Sequence, residues 1–162
     1  MNGMNSRLLD TPAGRLYLVS DGVGLCDARA ARADDRETGA ADAVLDWAAE
    51  ELSAYFAGQL RQFSVPLSLR GTDFERSVWE ALRQIPFGEI RSYGQIAERI
   101  GNEKASRAVG GACSRNPVLI IVPCHRVVAA SGALTGFAAG MEMKRRLLLH
   151  EGWTVCRDRI RK

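Results

Sequence analysis

The sequence predicts a chain of two unlike parts: a small α/β domain with an antiparallel sheet and a helix over residues 1–70, and a mostly helical domain over residues 71–162. Three observations predict it. Apolar residues that alternate with polar ones, the mark of half-buried strands, lie before residue 70. Two capping boxes that open helices stand close together after it, and Gly71 separates the two patterns.

Residues 15 to 28 read as two short strands around a Gly22/Gly24 turn, with Leu16 and Leu18 alternating against Tyr17 and Val19. Asp27 to Gly39 is rich in Ala, Arg and Asp and reads as a solvated loop. From Asp42 to Phe56, Val44, Leu45, Ala48, Leu52, Tyr55 and Phe56 recur at helical spacing, and Gly58 suits the end of that helix. Phe63, Val65, Leu67 and Leu69 alternate as in a strand, which Pro66 confines to an edge.

Beyond Gly71, Thr72-Asp73-Phe74-Glu75 opens a helix with Phe74, Val78, Leu82 and Ile85 on one face, ending at Pro86-Phe87-Gly88. Ser92-Tyr93-Gly94-Gln95 opens a short helix that stops at Gly101, and another follows from about Lys104 to Arg115. Two short helices around a glycine turn read as a helix-turn-helix. Asn116-Pro117 breaks the pattern before the apolar run Val118 to Val122. A Ser131-Gly132 turn and a helix from about Met141 to His150, closed by Gly152, complete the chain.

A hydrophobic fraction of 46% is that of a chain able to bury a core, and it excludes a disordered one. No apolar run approaches the roughly 20 residues of a membrane span, and the first residues lack the charged-then-apolar order of a secretory signal, so a cytoplasmic protein without a membrane partner is expected. The net charge of +3 permits an anionic partner without demanding one. Basic residues gather in the second half, around Lys104, Arg107, Arg115, Arg126, Lys144-Arg145-Arg146 and Arg157 to Lys162, making it the nucleic-acid face. Cys26, Cys113, Cys124 and Cys156 form no C-x-x-C pair, and both histidines, His125 and His150, come late. Free thiols and no metal site are expected.

The second helix of the helix-turn-helix is unusual for a groove reader, since beside Arg107 it offers Ala105, Ala108, Gly110, Gly111 and Ala112. So small a surface fits close approach to a DNA minor groove, with Arg107 entering the base stack, and it equally fits tight packing on a neighbouring helix. Cys124 beside His125 invites a nucleophile whose proton an imidazole takes up. The pair alone is a weak signal, because most isolated cysteines are small buried core residues.

The run Asn116-Pro117-Val118-Leu119-Ile120-Ile121-Val122-Pro123-Cys124-His125-Arg126-Val127 closely resembles the active-site signature of the O6-alkylguanine-DNA alkyltransferases. The resemblance extends back through Arg91 to Ala97 and Ala105 to Ala112, and forward to Gly136-Phe137-Ala138 and Leu147 to Gly152. It implies a ribonuclease-H-like first domain and a second domain built on a winged helix-turn-helix. It also implies a single-turnover repair protein, acting as a monomer without a cofactor, that takes the alkyl group of O6-alkylguanine from double-stranded DNA onto Cys124 after flipping the nucleotide through the minor groove.

In that resemblance His125 reaches the thiol through a bridging water, Glu151 orients the imidazole, Tyr93 protonates the departing guanine and Asn116 braces the active-site turn. Arg107 fills the gap in the stack, with Ser92, Tyr93, Ala108, Gly110 and Arg115 along the DNA. Val127, Phe137, Ala138, Leu119 and Thr135 line or rim the base pocket. Phe137 stands where tyrosine is usual and Ala138 where serine or glycine is frequent. The zinc site that some members carry in the first domain has no counterpart, since Cys26 alone of its ligand types is present in that domain. The rival readings are a damage sensor that binds alkylguanine without transfer, a helix-turn-helix regulator, and a Cys-His hydrolase. The first such proteins carry tryptophan at the cysteine, against which Cys124 stands.

Overall fold

The structure, a computed structural model, describes residues 4–137 and 139–161. The chain divides into two compact units, Met1–Arg70 with Pro117–Leu119, and Gly71–Asn116 with Ile120–Lys162.

The first unit is an antiparallel meander of β1 (Asn5–Thr11), β2 (Gly14–Ser20) and β3 (Leu25–Ala30), covered by helix α1 (Ala43–Phe56). Alternation turns Leu16, Leu18 and Ala28 fully inward. Asp42 caps α1 by accepting from the amides of Val44 and Leu45, and Val44, Leu45, Ala48, Leu52 and Tyr55 bury one stripe of it. β1 has no apolar alternation to announce it, with Asn5, Ser6, Arg7, Asp10 and Thr11 among its seven residues. β3 runs on to Ala30, inside the stretch expected as loop.

The strand expected over Phe63 to Leu69 shrinks to a single bridge, Leu67 beside Leu25. The Glu51 carboxylate takes the amides of Ser64 and Val65 and the Ser64 hydroxyl, and Pro66 has no amide to give, so little of the segment is left for a ladder. Farther along the same strand, the Ala28 amide donates to the Pro117 carbonyl at 2.9 Å and the Leu119 amide to the Ala28 carbonyl at 2.8 Å. The residues just after Asn116 thus form part of the first unit's sheet edge.

The second unit holds α2 (Asp73–Arg83), β4 (Arg91–Ser92), α3 (Tyr93–Arg99), α4 (Ser106–Ser114), a 3₁₀ turn at Cys124–Arg126, β5 (Val127–Val128), α5 (Met141–His150) and a hairpin of β6 (Thr154–Cys156) and β7 (Arg159–Arg161). Thr72 and Ser92 make the two capping boxes in full. Trp79, 1% exposed, donates its indole N–H to the Ala112 carbonyl at 2.9 Å and so ties α2 to α4. β4 and β5 pair in parallel, Arg91 with Val127 and Ser92 with Val128, which sets the start of α3 beside the residues that follow Cys124. Val128, Leu134 and Leu148 form a small core under the hairpin. No helix among the described residues is long and apolar enough to cross a membrane.

Candidate active site

Cys124 opens the 3₁₀ turn and is 3% exposed. Asn116 spans the loop before it, its side-chain amide donating to the Val122 carbonyl at 2.8 Å and to Cys124 Sγ at 3.2 Å. Between them Ile120, 1% exposed, holds φ at 74°, a left-handed conformation that a β-branched residue rarely adopts. Strain of that kind costs about 1–3 kcal/mol and persists only where surrounding contacts dictate it.

Burial dominates the chemistry of the thiol. It pushes Cys124 up to about 11, against the opposing pull of the Asn116 amide and the Lys144 charge. Neither the Asn116 amide nor the Lys144 charge outweighs burial, so the thiol rests protonated.

His125, next to Cys124 in the turn, is fully buried. Its Nε2 lies 2.8 Å from Glu151 Oε2. Burial alone would raise Glu151, but hydrogen bonds and charge from His125 and Arg126 outweigh it and hold the carboxyl well below its usual range. An ionised carboxylate only accepts, so Nε2 carries the hydrogen, and burial keeps the ring neutral. Nδ1 is then a bare acceptor, and it is buried with no hydrogen-bond partner among the described residues.

Two cations that the sequence placed on the nucleic-acid face, Arg126 and Lys144, are instead buried. Arg126 grips Glu151 with a bidentate fork, Nε to Oε1 and Nη2 to Oε2 at 2.8 Å each, and donates Nη1 to the Ile85 carbonyl at 2.6 Å. It stands inside the recognised run, so its signal was present. Lys144, 1% exposed, donates to the Val127 carbonyl at 2.8 Å and the Thr135 carbonyl at 3.4 Å. Nothing in Lys144-Arg145-Arg146 distinguishes it from its neighbours.

The other sequence candidates fall as follows. Ser92 caps α3, and Tyr93 is the first residue of that helix. The Tyr93 hydroxyl meets Thr135 Oγ1 at 2.5 Å, and burial raises it above an ordinary phenol, keeping it a proton donor. Arg107 and Ala108 are exposed on α4. A side chain on Gly110 would reach the Tyr93 ring at 3.9 Å. Arg115, at the end of α4, is engaged by Glu75. Val127 is buried and Phe137 half-buried. Leu119 belongs to the first unit, and Ala138 lies outside the described residues. Cys113 is a second buried thiol, pushed up by burial to about 12. No cluster of three or more His, Cys, Asp or Glu fit to hold a metal occurs among the described residues.

Two family models cover the chain. The 6-O-methylguanine DNA methyltransferase ribonuclease-like domain matches residues 4–69, and the DNA binding domain of the same family matches residues 73–153. A methylated-DNA–protein-cysteine methyltransferase of Mycobacterium bovis is 49% identical over 146 residues, 88% of each chain. One from Methanosarcina acetivorans is 59% identical over 105 residues, 65% of this chain and 67% of the relative. The crystal structure of the Mycobacterium tuberculosis O6-methylguanine methyltransferase superposes with a TM-score of 0.82 at 46% identity, covering 91% of this chain and 92% of that one. The OGT of the same organism in complex with DNA gives 0.81 at 47% identity, over 90% and 92%. With both halves of the chain matched in order, the protein belongs to the 6-O-methylguanine DNA methyltransferase family.

Proposed function

We propose that the chain repairs alkylated DNA by direct reversal, moving the alkyl group of O6-alkylguanine in duplex DNA to Cys124 Sγ once per molecule. The observation that carries this reading is the bare, buried Nδ1 of His125, in the same turn as a buried neutral thiol and with its other nitrogen fixed by Glu151. In the transfer the sulfur attacks the alkyl carbon and the carbon–O6 bond breaks. The thiol proton passes to Nδ1 through a bridging water, and Tyr93 gives its phenol proton to the departing guanine. A thioether remains, and no step calls on a cofactor.

The target carbon lies within the duplex, so the nucleotide must rotate out at a cost of a few kcal/mol. Arg107 is the residue proposed to fill the gap, with Ala108 and Gly110 allowing α4 close to the minor groove and Ser92 and Arg115 along the backbone. Val127, Thr135, Phe137, Ala138 and Leu119 are the proposed pocket residues, and Asn116 holds the turn. The same reading takes residues 1–70 as a ribonuclease-H-like domain and residues 71–162 as the DNA-binding and acceptor domain. There α3 and α4 form a winged helix-turn-helix. It describes a cytoplasmic monomer.

The test is incubation with duplex carrying O6-methylguanine labelled in its methyl group, followed by peptide mass spectrometry. Label should plateau at one per protein, on Cys124. Cys124→Ala should bind the damaged duplex and take no label. Binding without transfer by the wild-type chain would make it a damage sensor, and label on another residue would displace the site.

A further inference from the structure

The matched family domain ends at residue 153, and the chain continues as the hairpin β6–β7. The hairpin reverses at Arg157 and Asp158, both with positive φ (51° and 58°), as a two-residue turn between right-twisted strands requires. Its register pairs Thr154 with Arg161, Val155 with Ile160 and Cys156 with Arg159. Val155 and Ile160 pack on the core of Val128, Leu134 and Leu148. Alternation leaves Thr154, Cys156, Arg159 and Arg161 exposed on the other face.

Many other arginines of the chain are paired with carboxylates. Arg7, Arg15, Arg76 and Arg145 each face a carboxylate within 3 Å. Arg157, Arg159 and Arg161 form no ion pair among the described residues; Arg159 gives one N–H to the Ser131 carbonyl at 3.1 Å. The acid nearest in sequence, Asp158, is taken by Arg145 at 2.5 Å. Exposed Arg107 likewise has no ion pair among the described residues.

The basic face is also anchored to the candidate site. The Ile160 amide donates to the Gly132 carbonyl at 2.8 Å and the Leu134 amide to the Asp158 carbonyl at 2.7 Å, so β7 is fastened along the segment that leads into Thr135. Thr135 is the partner of the Tyr93 hydroxyl.

We propose that the outer face of β6–β7 is a second DNA-binding surface, on which Arg159 and Arg161 contact backbone phosphates and hold the duplex beside the Tyr93–Thr135 side of the site. The inference rests on the alkyltransferase reading above. Uncompensated guanidinium groups on a braced hairpin match the spaced negative charge of a DNA backbone, and such contacts carry no sequence preference.

The test replaces both residues in the full chain, Arg159→Gln with Arg161→Gln, and measures the affinity for undamaged duplex over a range of salt. Loss of two phosphate contacts makes the slope of log affinity against log salt shallower by about 1.8. Affinity at low salt should fall as well. The rate with free O6-benzylguanine, which needs no DNA, should stay unchanged. Arg7→Gln with Arg15→Gln removes the same charge from the first unit and should leave the slope as it was. An unchanged slope in the hairpin variant, an equal change in the control, or a lost free-base reaction would each overturn the hairpin's role. If the wild-type chain itself takes no label from alkylated duplex, the underlying alkyltransferase reading fails instead.

Discussion

Replacing Arg126 by methionine tests the buried charge network at its strongest point. Glu151 accepts from His125, from two nitrogens of Arg126, and from the Gly88 amide at 3.3 Å. Arg126→Met removes two of those donors together with a formal charge that faces the carboxylate directly. It also leaves the Ile85 carbonyl without this donor. Arg126 and Glu151 are each 5% exposed, so water replaces little of what is lost. Breaking a buried pair from one side costs about 3–5 kcal/mol. At about 2–4 °C per kcal/mol for a chain of this size, melting should fall by about 6–20 °C.

The loss should depend on pH in a definite direction. Glu151 titrates below its unfolded value, so its contribution to stability is present above the ordinary carboxylate range and disappears as pH falls through the folded value. In the variant the carboxyl protonates more readily. The gap between wild type and variant should therefore be widest near pH 7 and narrow towards pH 4. Arg126 and Lys144 also oppose protonation of His125, and Glu151 favours it. Without Arg126 the imidazole becomes more basic, and the acid limb of the rate against O6-benzylguanine should move to higher pH. Arg126→Lys, which keeps the charge but not the fork, should recover part of the pH profile. Thermal scans and transfer rates from pH 4 to 9 measure both effects. A melting loss under about 2 °C, or one equal at pH 4 and 7, would refute the argument.

Three further outcomes follow from particular contacts. Asn116→Ala removes the amide that lowers the Cys124 thiol, so the pH at which iodoacetamide alkylates Cys124 should rise; a hydrogen bond of about 1 kcal/mol corresponds to about a fivefold slower reaction near neutrality. Arg107→Ala should slow repair of duplex DNA more than reaction with the free base, and equal losses would count against its place in the stack. Gly71→Ala would set a Cβ 2.6 Å from the Trp79 ring, which is buried and anchored to Ala112, so melting should fall by the equivalent of about 1–3 kcal/mol with a change in tryptophan fluorescence.

What could be read from the sequence divides along a physical line. Local devices were legible, because their partners are near in the chain: the Thr72 and Ser92 capping boxes, the Asp42–Phe56 stripe, and the glycine turn between α3 and α4. The strand over Phe63 to Leu69 failed because its amides were claimed by Glu51, a helical residue 13 and 14 positions away that no alternation pattern contains. β1 was missed for the converse reason, since its polar residues become a strand through pairing with β2 rather than through their own pattern.

The candidate site shows the same division. Cys124, His125 and Asn116 lie within ten residues and were visible as one run, whereas the state of each depends on groups remote in sequence. The tautomer of His125 follows from Glu151, and the charge of Glu151 follows largely from His125 and Arg126. Lys144 is the extreme case. It follows Met143 in a helix that buries Met143, Leu147 and Leu148, and it precedes two arginines that face outward onto Glu142. Only the main-chain carbonyls of Val127 and Thr135, brought to it by the fold, make a buried ammonium tolerable there. Carbonyl acceptors exist at every residue and leave no mark in a sequence, so a cation they hold becomes legible only once the backbone is in place.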